Sequence, residues 1–190
     1  DRKAFRENPM AFYVGATDVL TGKIVYHLCR DGETEDLLWM RASASMPVVS
    51  RPVTIGDAAY LDGGISDPVP LFYLQSLGFD RHVAILTQPR GYRKTESRAT
   101  GLVCALLRGY PAIEEDLRKR HALYNAQMER IEEMEAGGDI LVIRPPEALG
   151  IGHREKRPEE LERVYQVGRR EAIRRLDAVR AYMCAKQDER

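Results

Sequence analysis

Apolar and polar positions alternate or cluster in a way that changes along the chain. The runs AFYVGATDVL (11–20) and GKIVYHLC (22–29) mix aromatic and β-branched residues around a short DVLTG link. They predict two strands joined as a hairpin. TEDLLWMRASASM (34–46) predicts a helix, with Thr34 as N-cap, two acids in the first turn and Pro47 as its stop. RPVTIGDAAYLDGG (51–64) predicts two short strand pieces around a Gly-Asp turn. DPVPLFYLQSLGF (67–79) predicts a short helix capped by Asp67, with Pro68 in its first position and Gly78 at its end. HVAILTQP (82–89) is a continuous apolar run closed by Pro89, the pattern of a strand buried on both faces in a parallel sheet.

After residue 100 the pattern becomes mainly helical. TGLVCALLRGY (100–110) predicts a short buried helix, and PAIEEDLRKRHALYNAQMERIEEMEAGG (111–138) a long one. Its apolar stripe runs through Ile113, Leu117, His121/Tyr124, Met128, Ile131 and Met134, and Gly137 and Gly138 stop it. DILVIRPP predicts one more buried strand. The segment from Arg157 predicts a final helix with Pro158 near its start and Leu161, Val164/Tyr165, Gly168, Ala172/Ile173, Leu176 and Val179 on one face. Strand, helix and strand alternate in the first half, so the expected class is α/β. The expected division is residues 1–100 as a core and 101–190 as a helical extension with one added strand.

Composition narrows the function. Apolar residues make up 44% of the 190, enough for a sizeable core, and the formal net charge is zero. A neutral chain carries no electrostatic reason to bind nucleic acid, and none is expected as a partner. Cys29, Cys104 and Cys184 are far apart and odd in number, so neither a zinc site nor a disulfide framework is expected, and a reducing, cytoplasmic setting is. No apolar run approaches the roughly 18 residues of a membrane span. The arginines of the 169–175 run are interspersed with Glu162, Glu171 and Asp177, the composition of a solvated helix face.

The chemistry-bearing stretch is YLDGGISDPVPL (60–71). Asp62 ends a short strand, and Gly63 and Gly64 permit tight backbone approach. Such a corner can hold a carboxylate at a sheet rim as a base, although Asp-Gly is also a strong turn signal. No partner for it is evident. None of the serines, Ser43 and Ser45 included, lies in a G-x-S-x-G elbow, and no histidine among His27, His82, His121 and His153 has a site-like flanking pattern. Asp18 reads as a turn former and Asp67 as a helix cap. No dinucleotide fingerprint or P-loop is present, and no metal or cofactor is expected.

Four blocks in order, ATDVLTG, ASASMP, YLDGGISDPVP and HVAILTQPRGYRK, resemble the second half of the catalytic domain of bacterial patatin-like phospholipases. YNAQMERIE, ILVIRP and the last helix resemble the C-terminal part of one bacterial subgroup. The resemblance implies a three-layer α/β/α hydrolase fold and acyl-ester hydrolysis by a Ser–Asp dyad. Asp62 would be its aspartate, with Gly63 and Gly64 positioning it. The serine elbow and the glycine-rich oxyanion loop of that family precede ATDVLTG. Neither occurs here, so the chain is expected to be the C-terminal part of a longer enzyme and inactive alone.

The expected partners are therefore a lipid or acyl-ester substrate and the N-terminal half of the same protein. Sheet faces left open without that half favour self-association, and peripheral membrane contact stays open. Two other readings compete. One is a catalytically silent pseudo-hydrolase that binds lipid or protein. The other is a dimerisation unit built on residues 111–136.

Overall fold

A computed structural model describes residues 1–97, 100–152 and 155–185. His153, one of the four histidines weighed above, lies outside the described residues. The elements are α1 (Arg2–Glu7), β1 (Phe12–Asp18), β2 (Ile24–Cys29), α2 (Thr34–Ser43), β3 (Val53–Ile55), β4 (Ala58–Asp62), a 3-10 turn (Gly63–Ile65), α3 (Leu71–Ser76), β5 (His82–Ile85), α4 (Thr100–Leu106), α5 (Pro111–Gly137), β6 (Ile140–Ile143) and α6 (Pro158–Cys184). The mixed α/β class and the C-terminal helices are as expected. α1 has no counterpart in the sequence reading; Asp1 caps it by accepting from the N–H groups of Lys3 and Ala4.

Contacts divide the chain into two compact units. One comprises Asp1–Pro70 and Lys94–Gln127, the other Leu71–Arg93 and Met128–Arg190.

The first unit is built on an antiparallel sheet of order β2-β1-β4-β3. The β1–β2 hairpin runs from Phe12 opposite Cys29 to Thr17 opposite Ile24. Its turn is held by Asp18, whose Oδ1 accepts from the N–H groups of Leu20 at 2.9 Å and Thr21 at 2.8 Å. β3 and β4 form the second hairpin around Gly56, which has a φ of 59°. β1 also pairs with β4, placing Ala16 opposite Asp62. α2 packs on this sheet and buries Trp39 and Ala42 with Val14, Ala16, Cys29 and Val53. A second cluster gathers Val19, Leu61 and Ile65 with Leu107 and with Ile113 of α5. Each such aliphatic side chain contributes about 1.5–3 kcal/mol on burial.

The second unit pairs β5 and β6 in parallel, from His82 opposite Ile140 to Ile85 opposite Ile143. β6 alternates buried and half-buried residues. β5 departs from the expected two-faced burial, because Ile85 at its end is 76% exposed. Tyr182 of α6 braces the strand starts: its hydroxyl donates to the Asp139 carbonyl at 2.7 Å and accepts from the His82 N–H at 3.2 Å. Otherwise α6 is a solvent-facing helix with no buried residue, and Leu161, Tyr165, Ile173 and Leu176 are exposed along it. Arg163 pairs with Glu160 and Arg174 with Glu171 on its surface, as expected for a solvated arginine run.

Two helix starts differ from expectation. α2 takes Thr34 as its first residue and Glu33 as N-cap, without a side-chain capping bond. α3 begins at Leu71, so Pro68 is not its first position and Asp67 is not its cap. The Asp67 side chain is drawn instead into longer-range bonds. It accepts from the Tyr26 hydroxyl and, at 2.6 Å, from Gln127 Nε2. Gln127 Oε1 in turn accepts from the Val69 N–H at 3.2 Å.

Candidate active-site corner at Asp62

Asp62 is the last residue of β4, and the chain turns directly into the 3-10 turn rather than into a hairpin. The corner is fixed from several sides. Its backbone N–H donates to the Ser45 carbonyl at 2.9 Å, tying it to the segment after α2. The Thr17 hydroxyl of β1 donates to the Asp62 carbonyl at 2.9 Å. With its single proton so used, Thr17 accepts from the Ser66 hydroxyl at 2.8 Å. Thr17 is fully buried, which makes this chain of bonds costly to leave unmade.

The carboxylate is half-buried and held by its own turn. Its Oδ1 accepts from the Gly64 N–H at 2.8 Å. Oδ2 receives no hydrogen bond from the described residues, which leaves one oxygen for a reacting group. The two glycines have different jobs. A Cβ on Gly63 would collide with the Gly15 carbonyl of β1, so that position admits no side chain while the strands stay paired. A Cβ on Gly64 would instead meet the Asp62 carboxylate at 3.2 Å and Arg120 at 3.5 Å.

α5 and the segment before α4 bring cations to the same corner. Arg120 Nε donates to the Gly64 carbonyl at 2.6 Å. Lys94 lies over the Tyr124 ring, its Nζ 4.1 Å from the centroid. Asn125 clamps the Lys94 backbone from both sides, accepting from its N–H at 2.8 Å and donating to its carbonyl at 2.9 Å. Burial and the neighbouring Arg120 charge bring the Lys94 ammonium down to about 8, against the opposing pull of Asp62. Sequence reading gave neither cation a role: Lys94 ends the HVAILTQPRGYRK block with nothing to tie it to Asp62, and Arg120 lies 58 positions from Asp62 (120 − 62) on the long helix.

The serines weighed as nucleophiles are not arranged as one. Ser43 is the last residue of α2, and the buried Ser45 hydroxyl donates to the Arg41 carbonyl at 2.7 Å. His82 is buried at the start of β5 and His121 is half-buried on α5.

A second polar cluster went unseen in the sequence. His27 and Cys29 are two apart on β2 and so share a face of the strand, and Asp36 of α2 comes up against them. His27 Nε2 stands 2.7 Å from Asp36 Oδ1. Asp36 Oδ2 accepts three backbone N–H groups, from Arg30, Asp31 and Gly32, at 2.8–2.9 Å. Trp39 stacks on the His27 ring at 5.0 Å and 7°. One ligand atom from each of His27, Cys29 and Asp36 falls within 4.8 Å of the others. Three donors so close would suit a metal, but both Asp36 oxygens are already engaged as a brace for the β2–α2 loop. The Cys29 thiol is pushed up to about 11 by burial and then by the Asp36 charge, which describes a buried, protonated thiol.

Two family models match this chain. The patatin-like phospholipase model covers residues 5–74, and a domain of unknown function (DUF6363) covers residues 110–184. No curated protein matches it. No helix among the described residues is long and apolar enough to cross a membrane. The first match contains the whole four-stranded sheet, α2, Asp62 and both glycines. Residues 5–74 therefore carry the pattern of the patatin-like phospholipase family.

Proposed function

We propose that this protein is part of a lipid acyl hydrolase in which Asp62 is the base of a Ser–Asp dyad, its serine supplied by sequence outside these 190 residues. The observation that carries the reading is the Asp62 corner. It lies within the patatin-like match, and one carboxylate oxygen is pinned by Gly64 while the other is left for a reacting group.

In the proposed reaction Asp62 Oδ2 takes the proton of the serine hydroxyl as the serine oxygen bonds to the ester carbonyl carbon. The tetrahedral oxyanion collapses, the ester C–O bond breaks, and the proton passes from Asp62 to the departing alcohol. Water then attacks the acyl-enzyme, giving its proton to Asp62, and the carboxylic acid leaves as the serine is re-protonated. No histidine relay is required, and among the described residues no histidine bonds to the Asp62 carboxylate. Gly63 and Gly64 act as positioning residues. The three cysteines are unpaired, which fits the reducing compartment, the cytoplasm, in which we place the protein.

The test is Asp62→Asn in the full-length protein, assayed on p-nitrophenyl butyrate. Hydrolysis should fall by about 10³-fold or more, with thermal unfolding unchanged. A folded variant with full activity would leave the pseudo-hydrolase reading in its place.

A further inference from the structure

α6 carries an apolar stripe that its own chain leaves uncovered. Leu161, Tyr165, Leu176 and Met183 are each 43–57% exposed, and no residue of the helix is buried. The helix turns a different face to the rest of its unit, marked by the half-buried Val164, Val167, Glu171 and Tyr182. Along the stripe apolar positions follow at intervals of four and three, and Leu161, Ala172 and Met183 stand eleven apart (172 − 161 and 183 − 172). An eleven-residue period is about 3.67 residues per turn, close to that of an undistorted helix, so the stripe keeps to one side over roughly 33 Å.

The stripe is also symmetric about its centre. Counted outward from Ala172, Gly168 and Leu176 stand four away, Tyr165 and Val179 seven, Leu161 and Met183 eleven. Laid antiparallel on a second copy, with a twofold axis at Ala172, each apolar position meets an apolar one. Sizes complement as well, since Leu176 faces the gap at Gly168 and Tyr165 faces the smaller Val179. Nothing in its own chain requires glycine at 168: a Cβ there would have no atom within 4 Å, and glycine inside a helix is destabilising relative to alanine. The charges beside the stripe follow the same symmetry. Glu162 and Arg180 are 18 positions apart (180 − 162), five turns of about 3.6 residues, and so lie on one flank of the helix. The twofold sets each Glu162 against Arg180 of the second copy.

We propose that α6 is the interface of a homodimer, paired antiparallel with α6 of a second copy about a twofold axis at Ala172. An anionic lipid surface would make no use of this symmetry and would repel Glu162. The pairing uses only the segment that matches the domain of unknown function and does not rest on the acyl-hydrolase reading.

The experiment is sedimentation equilibrium of the full-length protein, which should be a dimer in the micromolar range. Leu176→Lys, at an exposed position, should leave the circular dichroism unchanged and weaken the dimer about a hundredfold, because the twofold introduces the change twice. Gly168→Leu favours the helix itself but fills the gap that Leu176 enters, and should weaken the dimer about tenfold. Glu162→Arg should weaken it, and adding Arg180→Glu should restore it, which fixes the antiparallel register. In a Cys184→Ser background, Ala172→Cys should link two copies on oxidation with copper phenanthroline, since Ala172 faces its own counterpart across the axis. A monomeric protein would overturn the proposal, as would a dimer indifferent to both Leu176→Lys and Gly168→Leu. A monomer that sediments with phosphatidylglycerol vesicles would overturn it by assigning the stripe to lipid.

Discussion

The Cα of Gly63 faces the carbonyl of Gly15 so closely that a methyl group between them would overlap the β1 backbone. The consequence is a direct prediction. Gly63→Ala must either part β1 from β4 or displace the turn that holds Asp62, and overpacking of this kind costs about 1–3 kcal/mol. Gly64→Ala meets only the Asp62 carboxylate and the end of Arg120, and should cost less stability while still moving the carboxylate. Urea unfolding of the two variants checks the order, and equal losses would refute the distinction.

Asp36 makes stability sensitive to acid. Burial acts to raise its pKa, but the bonds from His27 and from the N–H groups of Asp31, Gly32 and Arg30 outweigh it, and the carboxyl is held well below the usual range. A depressed folded-state pKa gives stability that is present above the unfolded value of about 3.9 and is lost as pH falls below it. Asp36→Ala should therefore cost on the order of 3 kcal/mol at pH 7 and flatten the fall in stability between neutral pH and about pH 3. Denaturant titrations across that range make the comparison. A variant with the same pH slope as the parent would move the acid sensitivity to other carboxylates.

The three thiols should separate cleanly by reactivity. Cys29 and Cys104 are buried and Cys184 is exposed. The Cys29 thiol is in addition pushed up to about 11, so little thiolate exists near pH 7. A thiol-reactive chromophore should label Cys184 quickly in the native protein, and reach Cys29 and Cys104 only on unfolding. Peptide mapping after brief labelling decides the matter, and fast modification of Cys29 would contradict its burial.

Val48 is the only non-glycine with a positive φ among the described residues, at 68°. A β-branched residue there is strained, and it is 48% exposed, so its side chain recovers little through packing. Val48→Asn should raise stability by about 0.5–1 kcal/mol, since Asn enters this region more readily. If Val48→Asn instead lowers the unfolding temperature, the valine is making contacts that outweigh its backbone strain.

Local pattern was sufficient where local chemistry decides structure. The β1–β2 hairpin, the Asp18 turn and the full span of α5 were legible from alternation, turn residues and a three-and-four spacing. The Asp-Pro step at 67–68 misled, because the cap reading considers only neighbours. Its carboxylate is bonded to Tyr26 and Gln127, 41 and 60 positions away. The same limit hid the cations at the Asp62 corner and the His27–Asp36 pair, which only a folded chain brings together. Asp62 itself was visible as a strand-end carboxylate. The open oxygen that makes it a candidate base depends on the Gly64 N–H and could not be read from DGG alone.

The pairing of β1 with both neighbours gives its two faces unequal burdens. Val14 and Ala16 fill the core on one face, while Gly15 on the other sits against the Ile24 and Tyr26 side chains and presents its carbonyl to the Asp62 corner. Inserting a single residue before Gly15 would exchange the faces, sending a core side chain to the corner and a glycine to the core. The length of β1 is thus under a constraint separate from the identity of its residues. Substitutions in this strand should be tolerated more readily than any one-residue insertion or deletion.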